Sequence, residues 1–394
     1  MSIKQHRTYF LRRAMATPVL VFGLLVLSSC SSLTNLWPGT WFRVYEGEEI
    51  QRRIRSLPAD IPIVFSGLSY YRGVLYAATN VGVLRIPKDN PTQLIGWYPS
   101  DDVVSGPWMD RAGDQLWVFH SGLGTFFRYD GHTWLPVALP DTPGRGVRRG
   151  DLFELKGRSS RNAFWIEGDG SAWKWNADSG AWSLTELPKG LCWPSKPEDD
   201  SWLCFAAIAP TEKREYIVMH SQLIPRHPPP TESKADRPTP DQVIAPSARG
   251  WENIDSTGDL DFVAKDVIST PVNVYMLSYF GPLYKVDEAG ISRIESLGDV
   301  EAMTGTADGR LIVSFKGQGV FQYRDRWEKL FDCPYAAGYP IRDAKLSEDG
   351  GRIAYAVNVD RNKRSGAEKS HLWLYSADSL IEVMIAEKNS ARKE

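Results

Sequence analysis

The fold class this sequence predicts is all-β: a β-propeller of seven four-stranded blades. Three observations carry that prediction. Short β-branched and aromatic runs, broken by Gly or Asp-Gly, read as hairpins. The hairpins recur about every forty residues, which is the period of propeller blades. With 15 Trp and 33 Gly among 394 residues and little helical periodicity, the repeat is a sheet rather than a helical solenoid.

The clearest unit is Gln115–Pro140. It reads as a strand at Gln115–His120, a bend at Ser121-Gly122, a strand at Thr125–Tyr129, an Asp130-Gly131 turn and a strand at Thr133–Leu139. Equivalent second strands are expected at Val74–Thr79, Asn162–Glu167, Tyr216–His220, Asn273–Tyr279, Arg310–Phe315 and Arg352–Val357. First strands, nearest the axis, are expected at Ile61–Gly67, Val103–Met109, Asp151–Lys156, Trp202–Ile208, Leu260–Ala264, Val300–Thr304 and Ile341–Leu346. Each outer strand offers one tryptophan: Trp97, Trp134, Trp182, Trp251 and Trp327. A large ring per blade fills the widening gap between twisted sheets. A tryptophan-lined ligand platform is the less economical reading.

Two segments break the rhythm. Residues 225–249 are proline-rich and polar, expected as a mobile loop within the fourth unit. Asp360–Ser370 is a shorter charged loop in the seventh, and residues 388–394 should fray. That sets the propeller at 57–387. Before it, residues 30–56 form a tether in which Thr40–Tyr45 is expected to join the last blade and help close the ring. The charged run after Tyr45 suits a short helix or a solvated linker, and Arg52, Arg53 and Arg55 suit a solvated face or anionic lipid.

Residues 1–29 are a leader. Lys4, Arg7, Arg12 and Arg13 precede the apolar Val19–Leu27, which is far shorter than the roughly 20 residues of a membrane-spanning helix. The stretch Leu27-Ser28-Ser29-Cys30 resembles the lipobox of bacterial lipoproteins. That resemblance implies cleavage before Cys30 and acylation of its thiol and new amino terminus. Ser31, where Asp would signal inner-membrane retention, implies an outer-membrane lipoprotein. A covalent lipid on Cys30 is the only attached group expected, and the anchor the only membrane contact. The plainer reading is an ordinary secretory signal. Removing the leader's four basic residues from 46 leaves 42 against 48 acidic ones. A net charge of −6 gives no reason to bind nucleic acid. In an oxidising compartment Cys192 and Cys204 suit a disulfide closing a short loop, or two buried thiols. Cys333 is then unpaired and buried.

The pattern from Gln115 to Trp134, with Leu116-Trp117, Gly122-Leu123 and Tyr129-Asp130, is similar to the propeller repeats of two-component sensor periplasmic regions. Leu346–Val357 followed by His371–Asp378 resembles the TolB-like propeller repeat, with Glu348 where that repeat has Pro; Asp308-Gly309 is a weaker echo. Both resemblances imply a propeller in a cell-envelope setting and carry over no site residue.

For chemistry, the turns between second and third strands present Asn80, His120, Asp169, His220, Tyr279, Lys316 and Asn358. His120 and His220 occupy equivalent places, and two imidazoles in one funnel would suit a metal or an acid–base pair. Hydrogen-bonded turn residues are the plainer reading. No zinc-ligand spacing, nucleophile elbow or phosphate-binding glycine loop occurs, so no metal site or cofactor is expected. Arg145, Arg148 and Arg149 suit a carboxylate or phosphate, or a solvated turn. The function expected is therefore a protein-binding or scaffold module, engaging envelope proteins or cell-wall material. The alternatives are a metal-dependent hydrolase or lyase with its site in the funnel, and a small-ligand sensor.

Overall fold

The computed structural model describes residues 43–56, 63–80, 82–98, 108–112, 115–120, 125–138, 152–156, 164–167, 172–176, 179–185, 202–223, 242–247, 250–254, 264–278, 281–333, 341–358 and 367–389. The chain folds as an all-β propeller. Its strands form antiparallel sheets of four in chain order, the first sheet carrying a fifth strand; seven such sheets are present among the described residues. The innermost strands are Phe65–Tyr71, Trp108–Ala112, Leu152–Lys156, Trp202–Pro210, Ala264–Ser269, Val300–Gly305 and Ile341–Leu346. Each contacts the innermost strand of the next sheet, and the last returns to the first. The axis is therefore surrounded by parallel-running inner strands.

Five of those inner strands slip register at the same place, near their entry: Phe65/Gly67, Leu152/Glu154, Ala264/Asp266, Val300/Ala302 and Ile341/Asp343. A bulge adds one residue and sharpens the local twist, which bends each strand where it starts down the axis. The second strands follow the expected positions closely: Val74–Thr79 and Gln115–His120 match end to end, Leu311–Phe315 is trimmed at its start, and Phe164–Glu167 is the described part of its run. The first inner strand starts later than expected, at Phe65; the expected starts at Val103 and Leu260 lie outside the described residues. The expectation followed apolar runs, whereas inner strands also take Gly, Ser and Asp. Ser69, for example, is buried.

Sheets are welded to one another by aromatic side chains. Trp117 is fully buried and meets Phe126 of its own sheet and Trp175 and Trp182 of the next, with centroids 5.7–6.0 Å apart. Trp134 stacks on Tyr129 at 4.7 Å, and Tyr129 meets Tyr71 and Tyr76 of the first sheet. The Nε1–H of Trp327 donates to the carbonyl of Glu295, which lies just past the preceding sheet's outer strand (2.7 Å). These tryptophans pack between sheets.

The seam between first and last sheets departs from expectation. Arg43–Glu46 does not join the last sheet. It pairs with Ile95–Tyr98 as the outer edge of the first, Arg43 opposite Tyr98 and Glu46 opposite Ile95. The last sheet already holds four consecutive strands, so closure needs no borrowed strand. Gly47 (φ 54°) then turns the chain into a helix, Glu48–Ser56. The helix packs against the last sheet's outer strand, and its Ile50, fully buried, enters a core shared by Leu84 and Leu94 of the first sheet and Leu372 and Val383 of the last.

Three loop boundaries also move. Gln242–Ser247, within the stretch expected as a proline-rich loop, is the third strand of the fourth sheet. Pro246 is tolerated because the ladder to the inner side covers only Gln242–Ile244, so its missing N–H forfeits nothing there. A strand begins at Ala367, inside the charged segment of the seventh unit, and another runs to Asn389, into the expected tail.

Candidate functional site

Strands alternate in direction, so the turns joining first to second strands all lie at one end of the axis. Four of them open with a buried hydroxyl: Thr211, Thr270, Thr306 and Ser347. Each accepts the N–H of a residue beyond the turn: Arg214 (3.2 Å), Asn273 (2.9 Å), Arg310 (3.0 Å) and Arg352 (2.9 Å). Thr211 and Thr270 also donate to the carbonyl of the same residue, at 2.8 Å each. A side-chain oxygen that accepts a turn N–H replaces a backbone acceptor, and here it fixes the loops around the axis. In the last two turns an aspartate joins in. Asp349 accepts from Ser347 Oγ (2.6 Å) and Gly351 N–H (2.9 Å), which hold its carboxyl below the usual carboxylate range. Asp308 accepts from Thr306 and Arg310 and shifts the same way. Gly309 (φ 88°) and Gly350 (φ 71°) follow these aspartates in the left-handed region. A β-carbon at Gly350 would strike the Ile312 side chain.

A cavity of about 710 Å³ opens at this end. Its floor comes from the ends of inner strands: Ser69 and Tyr70 of the first sheet, Val267–Ser269 of the fifth, Met303–Gly305 of the sixth, and Lys345 and Leu346 of the seventh. Its rim carries Arg111, Asp308, Arg310, Glu348 and Asp349. Arg111 of the second sheet pairs with Glu348 of the seventh, reaching over the inner strand of the first; both side chains are partly exposed, at 41% and 35%. Arg310 pairs with Asp308 at 2.8 Å and also donates to Gln322. Arg352 donates to the carbonyl of Gly73 at 3.1 Å, tying the last sheet to the first below the rim. Tyr70 and Ser69 are 5% and 4% exposed. Burial pushes the Tyr70 phenol up, eased by the Arg352 guanidinium. The volume lies within the range of small-ligand sites, roughly 300–1,000 Å³.

The opposite end, where the sequence placed its candidate residues, looks different. Asn80 is held by the entry to the first inner strand: its Oδ1 accepts the Val64 N–H (2.9 Å) and its N–H donates to the Val64 carbonyl (3.1 Å). The Lys316 N–H likewise donates to the Asp299 carbonyl (2.9 Å). Asn358 is not in a turn but paired with Ser370. His120 ends its strand opposite Thr125, whereas His220 sits within a strand that continues to Leu223. Counted from the first ladder residues Gln115 and Glu215, the two histidines do stand at the same height. Their sheets are the second and fourth, with another between. Asp169, Tyr279, Cys30, Cys192, Arg145, Arg148 and Arg149 lie outside the described residues. Among the described residues no three His, Cys, Asp or Glu side chains gather as a metal site.

Cys333 is free and buried. It lies 3.3 Å from the Tyr355 hydroxyl, which donates to Glu301 Oε2 at 2.8 Å, and Ser314 Oγ donates to the same oxygen at 3.3 Å. With its hydrogen committed to Glu301, Tyr355 accepts from the thiol. Burial raises the thiol's pKa, so the group is a polar tie between the last two sheets and a poor nucleophile.

The sequence signal for the cavity was present but unread. It is a Ser or Thr opening the turn, followed by Arg or Asn three to five residues later. Of the four turns, the sequence resemblance to a known repeat touches two, at Ser347-Glu-Asp-Gly and, more weakly, at Asp308-Gly309.

No protein-family profile and no curated protein matches the chain. Solved structures do. The acylaminoacyl peptidase of Pyrococcus horikoshii aligns with a TM-score of 0.50 and 9% identity, over 83% of this chain and 53% of that one. The β-propeller domain of the trilobed protease from Pyrococcus furiosus aligns at 0.49 and 9%, over 84% and 98%. A virginiamycin B lyase from Staphylococcus aureus aligns at 0.48 and 12%, over 80% and 96%. At such identities the likeness is one of fold.

Proposed function

We propose that the chain is a seven-bladed propeller, lipid-anchored through Cys30 in the outer membrane of a bacterial envelope, and that it binds partner proteins at the axial mouth rimmed by Arg111, Arg310, Glu348 and Asp349. The observation that carries this reading is the cavity itself. Its lining is drawn from separate sheets and combines buried hydroxyls, an apolar wall and charges of both signs on pre-fixed turns. Such a surface suits recognition of a partner. The anchor is supported by the basic leader, the short apolar run and the lipobox-like residues before Cys30.

Two measurements test it. Labelled palmitate should enter the chain in cells and be absent from Cys30→Ala. A photo-cross-linking residue at Thr304, inside the mouth, should give discrete protein adducts in envelope preparations. The same residue at exposed Leu184, on an outer strand, should not. Equal adducts from both positions, or substrate turnover by the purified chain with no adduct at Thr304, would refute the binding reading.

A further inference from the structure

The chemistry of the mouth narrows what it holds. Among the described residues, three cationic side chains, Arg111, Arg310 and Lys345, line the cavity together with three carboxylates, Asp308, Glu348 and Asp349. A polyanion would gain from the first set and be repelled by the second, so the balance selects a ligand bearing both signs. The pairs already formed are exchangeable. Arg111 with Glu348 and Arg310 with Asp308 sit at the solvent boundary, where an ion pair adds little stability and an incoming charge can replace either partner. Deeper in, the Ser69 and Tyr70 hydroxyls are more than nine-tenths buried. They line the cavity, and a hydroxyl there can both donate to and accept from the backbone amide of a guest. Met303, Val267 and Leu346 supply the apolar wall a side chain needs. A glycan would require an open aromatic face for stacking. Among the described residues Tyr70 is the only aromatic in the lining, and its ring is packed into the core shared by the first and last sheets.

From these features we infer that the mouth takes an extended peptide segment carrying adjacent acidic and basic side chains, whose charges exchange into the Arg111–Glu348 and Arg310–Asp308 pairs. The inference rests on the mouth being the partner site.

The test uses fluorescent octapeptides on one Ser/Gly frame with a central Lys-Glu, Lys-Lys, Glu-Glu or Gln-Gln, titrated into the mature chain. Chitotetraose serves as competitor. Lys-Glu peptides should bind roughly tenfold tighter than the other three, and Arg111→Glu should weaken them by about tenfold. Tyr70→Phe should weaken all four peptides alike, because it touches the backbone. Thermal melting of both variants shows whether the fold is retained. Equal binding of the four peptides, or indifference of the Lys-Glu peptide to Arg111→Glu in a folded variant, overturns the inference. Chitotetraose binding lost in Arg111→Glu, with no peptide bound, also overturns it while leaving the mouth as a site. If Thr304 gives no adducts, the site itself is wrong.

Discussion

The backbone N–H of Leu68 donates to Asp343 Oδ2 at 2.7 Å, so the innermost strands of the first and last sheets meet through one bond spanning 275 residues of sequence. Asp343 turns its other oxygen to the N–H of Ala344 at 2.9 Å. The carboxylate stands at the bulge of its strand, where the extra residue swings it across the seam. Asp343→Ala removes both acceptors and strands a buried donor, which costs about 1–3 kcal/mol. Urea unfolding should show that loss, and Asp343→Asn, which keeps an acceptor for Leu68, should recover part of it. Equal stabilities for all three proteins would mean that the bond does not close the seam.

Asp343 and Asp349 pull stability in opposite directions with pH. Burial, with some help from the Asp266 carboxylate, raises Asp343 above the usual range, against the opposing effect of Lys345 and the Leu68 and Ala344 N–H groups. A raised carboxyl favours the folded state while protonated. Its contribution is complete below an unfolded value of about 3.9 and is lost as pH rises through the folded one. Asp349 is lowered, chiefly by the Ser347 hydroxyl. Its contribution is present above about 3.9 and is lost as pH falls through the folded value. In urea midpoints from pH 3 upward, the deficit of Asp343→Asn against the parent should therefore narrow as pH rises, and the acid-side loss should flatten for Asp349→Asn. Parallel profiles would contradict the two environments.

The seam also has an outer fastening. Ile50 anchors the helix Glu48–Ser56 in the core common to both sheets, while Arg43–Glu46 is laddered to the first. Truncating a buried isoleucine to alanine costs about 2–5 kcal/mol. Ile50→Ala should lower stability by that order, and hydrogen exchange should quicken first in the seam strands Phe65–Tyr71 and Leu380–Asn389 rather than in the sixth sheet. Uniform quickening would show that the helix adds only general stability.

How much of this was legible beforehand follows from the residues themselves. Second strands such as Val74–Thr79 are continuous apolar runs buried on both faces, and a run of that kind announces itself. Inner strands do not, because they take polar or small residues such as Gly67, Ser69 and Asp343, and the partner of Asp343, the Leu68 N–H, comes from another sheet. The Trp117 cluster was readable as repeated packing. The mouth was not, since its parts are single turn residues in sheets far apart in sequence. The candidate histidines, His120 and His220, drew notice by their equivalent places in two units, and they stand at the end of the axis away from the cavity.

Trp117 separates packing from recognition. It is fully buried against Trp175 and Trp182 of the next sheet, and loss of such a side chain costs about 3–5 kcal/mol. Trp117→Ala should destabilise the chain by that much and quench the tryptophan fluorescence change on unfolding. Binding at the mouth should survive wherever the variant is folded. A folded Trp117→Ala protein that failed to bind would restore the tryptophans to the ligand surface.

The Cys333 tie makes a last prediction about reactivity. The thiol donates to Tyr355, Tyr355 donates to Glu301, and Cys333 is 3% exposed. Raised by burial, it offers little thiolate near neutrality and no path to a reagent. Alkylation by iodoacetamide, mapped to Cys333 by mass spectrometry, should be slow in buffer and complete in urea. Its native rate should track global opening of the last two sheets. Tyr355→Phe leaves Cys333 and Glu301 without their shared partner, at a cost of about 1–3 kcal/mol, and should hasten alkylation in proportion to the lost stability. Labelling of the parent at the rate of an exposed thiol would show that the tie opens locally, and the seam between the sixth and seventh sheets would then be the weak one.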